Sequence, residues 1–246
     1  KKIAWCGAAM NEHAVHDFPI LERNGIKTAF IAATYSLNKL TTPKGKPWLV
    51  NHFPLNVPGC DLSFIKTQCA TARKRGADFI VLSLHAGNAY QAYPSAHTVE
   101  LFHRVFNECG ADVILGGHPH NAQPMEVVTF TDPNTNESKK GFAIYSLADF
   151  VAYDIFIWCH MPVMLELTFS KGTKLGKTHK MISGVKILPL YMHYNPAKKS
   201  LRFIPLKKAL AQKNIFDSEA QQELSDLEKF CFRYFLPEEN DHLWAK

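Results

Sequence analysis

Three times in its first half the chain repeats one pattern: a stretch with helical apolar spacing, a glycine, then an almost unbroken apolar run. The first comprises residues 11–24, Gly25 and residues 26–35; the second, residues 61–75, Gly76 and residues 77–84; the third, residues 94–109, Gly110 and residues 111–115. In the second, Leu62, Ile65, Cys69 and Ala72 recur at helical spacing, and Lys74 and Arg75 suit the negative end of the helix dipole. In the third, Val99, Phe102, Val105, Phe106 and Cys109 form the stripe. Each glycine fits the left-handed position that commonly ends a helix. Helices alternating with apolar strands specify an α/β fold whose parallel sheet is covered on both faces. In such sheets ligands gather beyond the carboxyl ends of the strands.

The second half changes character. Residues 126–130, 141–146 and 163–169 read as strands separated by turn-rich polar spans, which predicts a more antiparallel sheet packed on the first. Residues 217–236 read as a terminal helix, capped by Ser218, with Leu224, Leu227, Phe230, Cys231 and Tyr234 on its apolar face and Pro237 as its stop. No linker or low-complexity segment divides residues 1–246, which predicts a single domain.

With 46% apolar and 20% charged residues the chain can bury a core, which excludes disorder. It has no run of about 18 uncharged apolar residues, so no transmembrane helix is expected; its most apolar stretch, residues 142–169, is interrupted by Asp149, Asp154, His160, Pro162 and Glu166. The net charge of +6 sits in short clusters such as Lys198-Lys199, without nucleic-acid motifs, which predicts mild attraction to anionic ligands and no nucleic-acid partner. The six cysteines lack paired spacing and read as free, mostly buried hydrophobes. Lys1-Lys2-Ile3-Ala4-Trp5 shows neither an initiator methionine nor a signal-peptide pattern, and reads as a beginning inside a domain.

The chemistry concentrates at two strand ends. The second strand runs into Ser83-Leu84-His85-Ala86-Gly87 and the third into Gly116-Gly117-His118-Pro119-His120. In an extended segment His118 and His120 project to the same side, and Pro119 favours that conformation for His118. Gly116 and Gly117 leave room for a close ligand. Three imidazoles at neighbouring strand ends predict a site for zinc, manganese or iron. His97 and His103, on the third helix, read as solvated.

The passages ADFIVLSLHAGNAY, GADVILGGHPHNAQPMEVV and AIYSLADF, with GAAMNEHAV and NGIKTAFIAATYSLN before them, resemble the CapA family of capsule and poly-γ-glutamate synthesis proteins. That family is similar to the calcineurin-type metallophosphoesterases. The resemblance implies a two-sheet sandwich flanked by helices, with His85, His118 and His120 at the metal site and Asn88, Tyr90, Asn121 and Gln123 near its mouth as substrate-binding residues. It implies a divalent metal, with two ions in a complete site, and His118 as a ligand or general acid. Asp149, where the family usually has Asn, is a further candidate ligand or base. The family's earlier Gly-Asp strand end and Asn-Asn-His motif are not matched: Asn11-Glu12-His13 and Asn51-His52 have neither the order nor the context. Ala86 and Ala89 replace its usual Trp and Glu. An N-terminally incomplete domain is therefore expected.

Three readings follow. One is a CapA-like metallohydrolase acting on an anionic polymer or phosphoester. The second is a non-catalytic relative that binds polymer or capsule-synthesis membrane proteins within an envelope assembly. The third is a structural module whose histidines only satisfy hydrogen bonds. The resemblance implies an envelope or extracytoplasmic setting; a cytoplasmic one is the alternative.

Overall fold

Parallel pairing runs through the middle of one sheet, flanked by antiparallel edges. The structure, a computed structural model, describes residues 3–235. In chain order the strands and α-helices are β1 (Ile20–Arg23), β2 (Ile26–Thr34), α1 (Ser63–Lys74), β3 (Phe79–His85), α2 (Ala96–Arg104), β4 (Val113–Gly117), β5 (Ala122–Thr131), β6 (Ser138–Leu147), β7 (Val163–Lys174), β8 (Lys177–Asn195), β9 (Ser200–Pro205), α3 (Leu206–Ala211) and α4 (Ser218–Phe230). The larger sheet has the order β1-β2-β3-β4-β6-β5, with β2, β3, β4 and β6 parallel and β1 and β5 antiparallel at its edges. The smaller is the antiparallel β7-β8-β9. The α/β class and the two-sheet arrangement flanked by helices agree with the sequence reading.

Strand β3 shows how the layers form. Ile80, Leu82 and Leu84 point one way, into a core shared with Ile65 and Cys69 of α1 and Leu101 and Phe102 of α2. Val81 points the other way, into a second core with Ile187 and Tyr191 of β8 and Leu224 and Leu227 of α4. Burying each such aliphatic side chain contributes about 1.5–3 kcal/mol. The smaller sheet does not reach the carboxyl ends of β2 and β3. Ser83 and His85, on the Val81 face, are therefore exposed. They line an open groove of about 410 Å³ with Ala32, Thr34 and Asn51.

Two of the three repeated segments fold as read. Gly76 (φ +84°) follows α1; Gly110 (φ +74°) follows a π-helical turn, Val105–Cys109, that extends α2. The first does not. Residues 11–24 hold a short 3₁₀ turn, Glu12–Ala14, and strand β1, which turns through Asn24 (φ +52°) and Gly25 (φ +73°) into β2. Asn-Gly at positive φ is a tight hairpin turn, and Pro19 removes a donor that a helix there would need.

The later strands also sort differently from expectation. Strands β5 and β6 extend the first sheet, and the second is built from β7 with β8 and β9, which the sequence reading passed over. Long β8 pairs with β7 as far as Pro189 and with β9 from Leu190 onward. In the terminal helix the cap is Asp217, whose carboxylate accepts from the Ala220 N–H, and not Ser218. A π-helical turn, Cys231–Phe235, follows α4. The expected end at Leu236 and the stop at Pro237 lie outside the described residues, as does His242. All six cysteines are free, and five are buried.

Candidate metal centre at the carboxyl ends of the strands

Register assembles the first part of the site. Thr34 of β2 lies opposite His85 of β3, and His85 opposite Gly117 of β4. Tyr35, the residue after β2, therefore lands beside His85; its N–H donates to the His85 carbonyl at 2.9 Å and its ring stacks on the imidazole at 5.9 Å. The His85 and His118 rings are 4.9 Å apart, and those of His118 and His120 5.8 Å. The three imidazoles meet.

They meet by a different route from the one expected. His118 (φ +111°) and His120 (φ +67°) are left-handed, not extended. The chain turns sharply on leaving β4, and neighbouring loops pin the turn. The Tyr90 N–H donates to the Pro119 carbonyl at 2.8 Å, and the Asp149 N–H to the His120 carbonyl at 3.2 Å. Tyr90 (φ +63°) and Ala148 (φ +64°) share the left-handed conformation. Such conformations cost roughly 1–3 kcal/mol each and persist where surrounding structure over-determines them.

The turn aims the rings at separate partners. His118 Nε2 lies 2.7 Å from the Tyr35 hydroxyl. His120 Nδ1 lies 3.0 Å from an Asp149 carboxylate oxygen and 3.3 Å from one of Asp154. Among the described residues, the one group of three His, Cys, Asp or Glu side chains with ligand atoms within 4.8 Å of one another is His120, Asp149 and Asp154. The expected single cluster of His85, His118 and His120 is thus an imidazole pair beside a His-Asp-Asp triad.

Partial desolvation against the neighbouring rings and loops sets the electrostatics. Desolvation, reinforced by the His85 and His120 rings, pulls His118 down to about 4. Desolvation also lowers His85, with His120 adding to the effect and Asp149 opposing it. Both rings are therefore neutral at pH 7, the form that can ligate a metal or accept a hydrogen bond. Burial raises Asp149, against the hydrogen bond from His120.

The residues expected at the mouth divide. Tyr90 is exposed, its ring stacked over His120 at 5.1 Å and its hydroxyl donating to Asp154 at 3.1 Å. Asn88 is exposed beside it. Asn121 and Gln123 are buried, and both side-chain amides donate to the Gln91 carbonyl, at 2.9 and 2.8 Å. They anchor the loop that carries Tyr90 and present nothing to the mouth. The two glycines divide as well. A Cβ on Gly116 would sit 2.0 Å from the Tyr145 carbonyl oxygen, so this glycine serves the close approach of β6 and not a ligand. A Cβ on Gly117 would meet only His85, at 3.9 Å. His97 is half-buried, with Nε2 against the Leu55 carbonyl at 3.1 Å, and His103 pairs with Glu126 at 2.9 Å, so neither is simply solvated.

The site residues missed at the sequence level are Tyr35 and Asp154. Tyr35 was open to discovery, because it follows β2 as His85 ends β3. Asp154 carried no local signal; only the path of the 149–158 loop brings it to His120.

The model of the bacterial capsule synthesis protein family PGA_cap matches residues 1–154, a stretch that contains every residue of this site. The chain belongs to that family. Two curated relatives are similar over shorter spans. The capsule biosynthesis protein CapA of Bacillus anthracis is 34% identical over 79 residues, 32% of this chain and 16% of that protein. The PGA biosynthesis protein CapA of Bacillus subtilis strain 168 is 35% identical over 78 residues, 32% of this chain and 18% of that protein. These matches thus span less than a fifth of either relative. Among solved structures, the sulfate thiohydrolase SoxB of Thermus thermophilus aligns at 15% identity and a TM-score of 0.40, covering 87% of this chain and 28% of that one. GAP50, the inner membrane complex anchor of Plasmodium, aligns at 16% identity and a TM-score of 0.31, covering 91% and 62%.

Proposed function

We propose that the carboxyl end of the sheet is a divalent-metal-dependent hydrolytic site of phosphoester type, acting on an anionic polymer or phosphoester in capsule or poly-γ-glutamate biosynthesis. The observation that carries this reading is the triad of His120, Asp149 and Asp154. Donor atoms about 2.0–2.2 Å from one ion are separated by about 2.8–3.6 Å at octahedral or tetrahedral angles. The separations from His120 Nδ1, 3.0 and 3.3 Å, fit that spacing. One imidazole with two carboxylates suits zinc, manganese or iron.

When bound, the cation supplies Lewis-acid polarisation and lowers the pKa of a coordinated water. The chain's own residues do the rest. Asp149 and Asp154 supply the negative charge that holds the ion, and Tyr90 fixes one Asp154 oxygen and covers the His120 ring. The hydrogen bond between the Tyr35 hydroxyl and His118 Nε2 fixes the orientation of the imidazole beside the triad. As a neutral imidazole, His118 hydrogen-bonds and orients a reacting group through its other ring nitrogen, Nδ1. His85 fills the space behind it as a second neutral imidazole.

Manganese or zinc titration followed by hydrolysis of bis-p-nitrophenyl phosphate tests the proposal. The expected result is metal uptake lost in His120→Ala, and turnover lost in His118→Ala with uptake retained. Uptake without turnover would favour the non-catalytic reading, and no uptake at all would overturn the metal site.

A further inference from the structure

The loop that carries both carboxylates also carries the most apolar exposed surface near the site. Between Asp149 and Trp158, Val151 is 71% exposed, Ile155 84%, Phe150 55% and Tyr153 45%. These side chains are held out by a braced backbone. Phe150 stacks on Phe203 of β9 at 4.9 Å, and Tyr153 on His160 at 3.9 Å. His160 is buried, bonded through Nδ1 to Glu223 of α4 and through Nε2 to the Asp154 carbonyl. The ridge is built to stay exposed.

Its flank is basic. Tyr153 also packs on Tyr194 of β8, at 5.2 Å, which joins the ridge to the β8–β9 turn with its exposed Lys198 and Lys199, and to exposed Arg202 of β9. No Asp or Glu occurs between residues 167 and 216, so β8, β9 and their turn carry only positive formal charge, while Glu219 and Glu223 of α4 lie on the other side of Tyr153. Protruding aliphatic and aromatic tips beside lysines are the composition that enters a lipid headgroup region, where rings sit at the interface and cations meet anionic lipid. A soluble polyanion would use the lysines but would gain nothing from Val151 and Ile155.

We propose that the 150–158 ridge and the β8–β9 turn dock on an anionic bilayer surface, which sets the His120 triad at the membrane. The inference stands apart from the metal reading, since docking needs neither an ion nor turnover. The test is co-sedimentation of the full chain with phosphatidylcholine vesicles, with and without phosphatidylglycerol. Binding is expected only where phosphatidylglycerol is present, and it should weaken as salt is raised. Val151→Asp with Ile155→Asp should lower vesicle affinity about tenfold or more. Lys198→Glu with Lys199→Glu, on an exposed turn, should do the same and keeps the test decisive if the first variant fails to fold. His120→Ala should bind vesicles as the unaltered chain does. The proposal is overturned if the unaltered chain ignores anionic vesicles. It is overturned equally if sedimentation velocity shows the ridge variant abolishing a dimer with no lipid dependence, or if soluble poly-γ-glutamate binds through the lysines while the ridge variant leaves vesicle binding unchanged.

Discussion

The two ends of the parallel sheet are built from the same strands and handle charge in opposite ways. At the amino end, the nearly buried Asp78, Asp112 and Asp132 each face cations. Arg73 lies 2.7 Å from Asp112 and Lys139 2.9 Å from its other oxygen; Lys171 and Lys180 lie 3.0 and 2.8 Å from Asp78; Lys139 also pairs with Asp132. Backbone donors take further lone pairs, Ile80 N–H on Asp112 and Lys27 N–H on Asp78. At the carboxyl end, Asp149 and Asp154 share one histidine, and among the described residues no lysine or arginine pairs with either. A saturated network spends its charge on holding elements together, whereas carboxylates left without a cation beside neutral imidazoles are arranged for a ligand.

The largest effect that tests this contrast is at the saturated end. Asp112→Ala removes the buried carboxylate shared by Arg73, Lys139 and the Ile80 N–H and should cost about 3–5 kcal/mol in chemical denaturation, while the folded fraction takes up metal normally. A variant of full stability that has lost metal would invert the comparison. At the open end, His120→Ala should weaken manganese or zinc binding by about 10–100-fold or more in calorimetric titration, with metal-free stability changed by less than about 1 kcal/mol. A large loss of metal-free stability would make the triad structural.

Asp78→Asn sharpens the comparison through pH. Burial alone would raise the Asp78 carboxyl, but hydrogen bonds from Lys180, the Lys27 N–H and Lys171 hold it down at about 2. Because that value lies below the ordinary one, its contribution of about 2 kcal/mol is complete above about pH 4 and fades as pH falls through about 2. The unaltered chain should lose that increment on acidification and the variant should not; parallel stability profiles would refute the assignment. The smallest effect belongs to Tyr35→Phe, which removes one hydrogen bond worth about 1 kcal/mol. It should move the His118 Nε2 nitrogen shift in NMR and leave metal affinity within about threefold. An unmoved shift would remove Tyr35 from the site.

Much of this was legible in the residues. Helices α1 and α2 and strands β2, β3 and β4 were readable because buried helices and parallel strands leave strong apolar periodicity, and the strand-end rule then singled out His85, His118 and His120. The first segment misled because its apolar spacing imitates a helix, although Asn24-Gly25 carried the hairpin signal. Strands β8 and β9 escaped because their exposed stretches mix lysine with apolar residues and offer no clean alternation. The glycines of Gly116-Gly117 looked equivalent in sequence; only the approach of β6 separates one from the other.

Sequence alone determined the α/β class, the end of the sheet where chemistry gathers and the imidazoles found there, because periodicity and strand termini are local properties. Tertiary structure alone decided which atoms face one another. Left-handed turns at His118 and His120, set by hydrogen bonds from distant loops, send one ring to Tyr35 and the other to Asp149 and Asp154. Those pairings span 29 to 83 residues of chain, a separation over which no local pattern carries information.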